Sequence, residues 1–175
     1  MTPTSESTYD RARRLASFEM WTIDLQCRRL QSSEPEDKVF LLRKWADFDF
    51  LVVALTRLRR IVKLASDIPE IHDSLSGAVS QFDATLPHLK MFRDVAEHVD
   101  DYALDRGRQS SVDRKQLETS GLSDNGLTLD WLGHQLNANI ALKASRELFD
   151  ALTSVSSAVP RDSCSSDLDQ STPSQ

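Results

Sequence analysis

The stretch that decides the fold is residues 41–65, LLRKWADFDFLVVALTRLRRIVKLA. Leu41, Trp45, Phe48, Val52, Leu55 and Val62 recur at spacings of four, three, four, three and seven. At about 100° per residue that spacing is one face of an α-helix. Leu42, Leu51, Leu58 and Ile61 broaden the arc, and no Gly or Pro interrupts it. An apolar arc this wide predicts a central helix touched by several neighbours. Starting near Glu36, it would be about 45 Å long.

Upstream, a first helix is expected from about Tyr9 to Gln31. Ala16, Met20, Ile23, Cys27 and Leu30 form its core face, and Leu15, Phe18 and Trp21 widen it. Ser32–Pro35 ends it, because the residue before proline avoids helical backbone angles. Downstream, Asp67 and Pro69 open a third helix with Ile71, Leu75, Ala78, Val79 and Phe82 on its buried face. Thr85 and Pro87 open a fourth, whose stripe is Leu89, Phe92, Ala96, Val99 and Ala103, with Gly107 as its C-cap. Asp124-Asn125-Gly126 is a turn signal, and Leu127, Leu129 and Trp131 alternate with polar residues. That pattern allows a small hairpin pairing about 115–120 with 127–132. Asn137 caps a last helix, 138–155, with Ile140, Ala144, Leu148, Leu152 and Val155 facing inward. The expected fold class is all-α: a bundle of four long helices plus a C-terminal fifth helix, with a small β-hairpin insertion before it. Residues 1–8 are expected to be disordered, residues 9–155 to form the domain, and the Ser-rich tail 156–175 to be disordered.

The 175 residues suffice for a core without disulfides or metals. Twenty-one basic against 27 acidic residues leave a net charge of −6, which argues against a general DNA-coating protein. A local phosphate site remains open, since clusters set the local field. Cys27 and Cys164 make no disulfide framework; Cys27 reads as a small core residue and Cys164 as a free thiol in the tail. The polar start and the lack of an apolar run near ~18 residues lead us to expect a cytoplasmic chain with no membrane partner.

The usual chemistry-bearing motifs are missing. There is no C-x-x-C, H-E-x-x-H, G-x-G-x-x-G, G-K-[ST] or G-x-S-x-G. His72, His88, His98 and His134 are scattered; His88 and His98 would lie ~15 Å apart on one helix. Neither a metal nor a cofactor is expected. Arg11/Arg13/Arg14, Arg28/Arg29 and Arg57/Arg59/Arg60/Lys63 read as solvated helix faces. Arg106, Arg108, Arg114 and Lys115 fall in a polar loop and are candidates for phosphate contact.

The informative stretch is residues 91–102, MFRDVAEHVDDY. Asp94, His98 and Tyr102 are spaced four apart and would form one ridge. Asp94 could accept from the His98 ring and fix its tautomer. Arg93 and His98 would flank the apolar stripe about 140° apart, so they would meet most easily across a two-fold axis between two chains. In the bland reading Arg93 pairs with Glu97 and His98 is a surface residue.

Arg93-x4-His98 on a late helix of a small bundle resembles the R-x(4–6)-H motif of the HEPN domains, in which Arg is often followed by Asn, Asp or His, as by Asp94 here. The run from Arg93 to Arg108 is also similar to that of uncharacterised bacterial helical proteins. The HEPN resemblance implies a dimeric bundle of four or five helices with Arg and His of both chains lining a cleft. It implies a metal-independent endoribonuclease of bacterial defence or toxin–antitoxin control, with RNA as substrate and a cognate antitoxin or other protein as partner. Arg93 would hold the scissile phosphate, His98 would be the general acid/base, and Asp94 would orient the site. A family subgroup carries Tyr two residues after the His; Asp100 stands there in this chain. Other members of that family are non-catalytic, so the alternative expectation is a dimeric helical interaction module or regulator.

Overall fold

The computed structural model describes residues 3–39, 42–118 and 120–160. Seven helices are present among them: α1 Ser5–Gln31, α2 Leu42–Ala65, α3 His72–Thr85, α4 Leu89–Glu97, α5 Val99–Ala103, α6 Lys115–Glu118 and α7 Ala138–Ser154. Three short strands precede α7: β1 Ser120–Ser123, β2 Thr128–Trp131 and β3 His134–Asn137. The protein is mostly helical, as expected, with a small antiparallel sheet in place of a simple hairpin.

The core lies where α2 meets its neighbours. α2 packs chiefly on α1, and also on α3, α4 and α7. Phe48, Leu51, Leu55, Leu58 and Val62 are fully buried, which is the central role the wide apolar arc predicts. α2 begins at Leu42, later than the expected Glu36, because Pro35–Lys38 forms a separate 3-10 turn; Leu41 lies outside the described residues. Its 24 residues span about 36 Å. Arg43 closes the α1–α2 connection. Its guanidinium donates to the carbonyl oxygens of Arg29 (2.6 Å) and Ser32 (3.1 Å) and pairs with Asp37 and Asp47.

The N-terminal boundary is corrected. α1 starts at Ser5, capped by the Thr4 hydroxyl, which accepts from the Ser7 N–H. Tyr9 is buried, and its hydroxyl donates to the Leu152 carbonyl at 3.0 Å, so both ends of the chain's helices meet there. The C-terminal boundary moves too: Val155–Ala158 forms a 3-10 turn and Val159 is buried. Residues 161–175, with Cys164, lie outside the described residues.

The sheet has the order β1-β2-β3. β1 pairs with β2 from Ser120 opposite Trp131 to Ser123 opposite Thr128, so the first strand lies later than the expected 115–120, which holds α6. The third strand was not expected. Its turn is Leu132-Gly133, both at positive φ (55° and 75°), a two-residue hairpin geometry without Asn or Asp to announce it. Leu132 is buried, so its side chain offsets the cost of that backbone. Lys44 of α2 anchors the sheet by donating to the Asn125 carbonyl at 2.8 Å. Its chain lies so close to Gly126 that an added Cβ would sit 2.5 Å from Nζ.

α7 follows the expectation closely. The Asn137 side chain accepts from the Asn139 and Ile140 N–H groups. Ala144, Leu148 and Leu152 are buried, whereas Ile140 is half exposed. Cys27 is a core thiol, donating toward the Ala138 carbonyl at 3.5 Å; burial pushes its pKa up to about 12.

Candidate functional site

The expected fourth helix breaks at His98. The residue has φ −122° and ψ 35°, ending α4 and starting α5. Leu89, Phe92 and Val95 are buried, but Val99 is 51 % exposed and Ala96 and Ala103 face solvent. The apolar stripe therefore stops one turn before the break. Beyond the break, α5 packs against α4 and α6.

The break re-sorts the motif residues. Arg93 is ion-paired with Glu97 one turn on. Asp94 accepts from the Tyr102 hydroxyl at 2.8 Å. The His98 ring is exposed and donates no hydrogen bond to Asp94 among the described residues. The expected Asp94–His98 contact is thus replaced by Asp94–Tyr102, because the kink swings Tyr102 back over Asp94. Tyr102 is buried, and its oxygen also accepts the Gln109 N–H at 3.1 Å. Burial and the Asp94 carboxylate raise its phenol pKa. Gly107 lies against the Tyr102 ring, where an added Cβ would approach to 2.1 Å; it is a close-approach glycine and not a helix C-cap, since α5 ends at Ala103.

Arg93 and Asp94 line a cleft of about 370 Å³ between α2 and α4. Thr56, Arg59 and Arg60 of α2 line it, as do Asp83, Leu86, Pro87, Leu89 and Lys90. Arg59 forms a two-pronged pair with Asp83, both contacts at 2.5 Å, and that pairing raises the guanidinium pKa. His98 is not among the lining residues, so one chain does not bring Arg93 and His98 into a common site.

The basic loop is spread over the surface. Arg106 and Arg108 are exposed, and Arg114 pairs with Asp105 at 3.3 Å with both side chains mostly in solvent. Lys115 begins α6, with its N–H on the Asp113 carboxylate at 2.8 Å. None of the four lines the Arg93 cleft.

Two features escaped the sequence reading. The first is a histidine pair: His88, before α4, stacks on His134 of β3 with ring centroids 3.6 Å apart. Partial burial, then the neighbouring His134, lower the His88 pKa. The pair borders an open hollow with Glu118, Asp130 and Trp131. Among the described residues no group of three or more His, Cys, Asp or Glu is placed to hold a metal. Nothing in the spacing could signal a contact across 46 residues.

The second is an uncovered apolar face. Phe18 is 65 % exposed, Trp21 78 % and Phe50 61 %, with Leu15 and Leu25 also exposed. The expectation that Leu15, Phe18 and Trp21 extend the core face is overturned. On the helical wheel Phe18, Trp21 and Leu25 lie about opposite the buried Ala16, Ile23 and Cys27. Arg11, Arg14 and Arg57 are exposed around this face. Beside it, Glu19 and Gln26 are buried between α1 and α2, and one side-chain oxygen of each has no hydrogen-bond partner. Burial raises the Glu19 carboxyl pKa, opposed by Arg57 at 3.9 Å.

No protein-family model, curated protein or solved structure matches this chain. No helix among the described residues is long and apolar enough to cross a membrane.

Proposed function

We propose that this chain is a helical interaction module that docks a partner protein on the outer face of the α1–α2 hairpin. The carrying observation is the exposure of Phe18, Trp21 and Leu25 on one face of α1, with Phe50 exposed on the neighbouring α2. Large apolar side chains exposed along one helix face mark a candidate interaction surface. Trp and Phe are effective anchors for a packed partner. The rim is cationic, through Arg11, Arg14 and Arg57, which suits an amphipathic helix flanked by carboxylates. The experiment titrates a leucine-faced, glutamate-flanked helical peptide and follows Trp21 fluorescence in a Trp45→Phe, Trp131→Phe background. A saturable blue shift, lost in Phe18→Glu and absent with a lysine-flanked peptide, supports the reading. A dimer that Phe18→Glu dissociates would replace the acidic partner with a second copy of the chain.

A second reading is favoured by one observation: Arg93 shares its cleft with three further cations while His98 stands exposed nearby in sequence. In that reading the chain is a HEPN-like, metal-independent endoribonuclease of bacterial defence or toxin–antitoxin control. A second subunit must bring its His98 over the Arg93 cleft, since one chain does not. Arg93 would stabilise the phosphorane-like charge and His98 would move the proton. RNA cleavage in the presence of a chelator, lost in both Arg93→Ala and His98→Ala, supports it; cleavage unchanged in His98→Ala rejects it.

A further inference from the structure

We infer that the cleft between α2 and α4 binds a small phosphomonoester with an apolar or planar body. Four cations line it, Arg59, Arg60, Lys90 and Arg93, against two carboxylates, Asp83 and Asp94. Both carboxylates are engaged. Asp83 holds Arg59 on two prongs, and Asp94 accepts from the buried Tyr102. Arg93 is held by Glu97. The side chains of Arg60 and Lys90 make no ion pair or hydrogen bond among the described residues, and they reach the cleft from two different helices.

Two unpaired cations facing one hollow repel each other, and a dianion between them converts that repulsion into attraction. Arg60 offers a planar fork suited to phosphate oxygens, and Lys90 offers a compact charge. The Arg59–Asp83 pair fixes one wall, so Arg59 adds field without having to move. Apart from Thr56, whose hydroxyl donates to the Val52 carbonyl, the rest of the lining is apolar: Leu86 and Leu89 are buried and Pro87 lies between them in sequence. That wall would accommodate a ring or short aliphatic body, adding apolar contact that a bare inorganic ion cannot make. The volume, about 370 Å³, falls in the range of small-ligand sites. The inference is independent of the docking face on α1, because no residue lining the cleft belongs to α1.

The test is titration calorimetry at low salt with adenosine 5′-monophosphate, ribose 5-phosphate and inorganic phosphate, alongside an RNA oligomer lacking terminal phosphate. The expected result is saturable binding of the two esters, tighter than inorganic phosphate. Affinity should fall at least about tenfold in Lys90→Ala and in Arg60→Gln, and stay unchanged in Lys143→Ala, an exposed lysine of α7. Both substituted cleft residues are exposed, so the fold should persist, which the melting curve checks. Amide shifts confined to Thr56, Arg60 and Lys90 on adding the ester would locate the site. Absence of saturable binding by either ester, or equal binding by Lys90→Ala, overturns the inference. Tighter binding of the RNA oligomer through the same two residues also overturns it, in favour of a polynucleotide backbone.

Discussion

α1 and the α4–α5 segment both carry apolar residues at helical spacing, yet they meet opposite fates. α1 runs unbroken for 27 residues and shows two apolar faces, one buried and one in solvent. The α4–α5 segment carries one stripe, buries its first two turns and breaks at His98. Periodicity reports that a helix can bury a face; it does not report how many neighbours arrive to cover it. α1 has principal neighbours in α2 and α7, which cover only one side. The α4–α5 segment is exposed from Ala96 to Asp101, and it is buried again at Tyr102, whose hydroxyl donates to Asp94.

The largest effect that would sharpen this comparison is in the buried half of the broken segment. Phe92→Ala should cost about 3–5 kcal/mol in chemical denaturation, whereas Val99→Ala should stay within about 0.5 kcal/mol. Similar losses at the two positions would mean that the stripe continues through the break. Next in size is Tyr102→Phe, which strips a partner from Asp94 and from the Gln109 N–H. A loss of about 1–3 kcal/mol is expected, with faster amide exchange at Gln109.

The histidine stack gives a smaller, pH-dependent effect. Its members, His88 and His134, face Glu118 and Asp130 across the hollow. Because the folded His88 pKa lies below its ordinary value of 6.5, the unfolded chain binds the proton more readily. Stability is therefore full above about pH 6.5 and falls as pH drops through the lowered pKa. His134→Phe keeps a stacking partner and removes the charge. Burial, the larger cause of the His88 shift, remains, so the decline in melting temperature between about pH 7 and 5 should be moderated and not abolished; an unchanged decline would leave burial as its sole source.

The smallest effect is on the α1 side. The Glu19 carboxyl has a raised pKa, so its charged form is penalised in the fold at neutral pH. The penalty disappears as pH falls into the carboxyl range, where the group is protonated. Glu19→Gln should raise the melting temperature by about 2–4 °C at pH 7 and by less near pH 4.5. A destabilised Glu19→Gln would show that its loose pairing with Arg57 outweighs desolvation.

Much of the architecture was legible in residue spacing. The central place of α2, the cap at Asn137, the core face of α1 and the buried Cys27 each follow from local pattern, because periodicity and capping act within a few residues. The candidate site was legible only as a motif. Arg93, Asp94 and His98 stand where the resemblance puts them in sequence, but their partners are Glu97, Tyr102 and solvent. The cationic cleft needed α2 to meet α4, which joins Arg59 and Arg60 to Lys90 across 30 residues or more.

Helix identity and inward faces were settled by the order of amino acids, since a turn of helix is a local object. The break at His98, the third strand, the histidine stack and the uncovered face of α1 were settled by tertiary contacts. The stack and the uncovered face depend on which distant segments meet, whereas the strand and the break turn on short-range contacts that helical or strand periodicity does not encode.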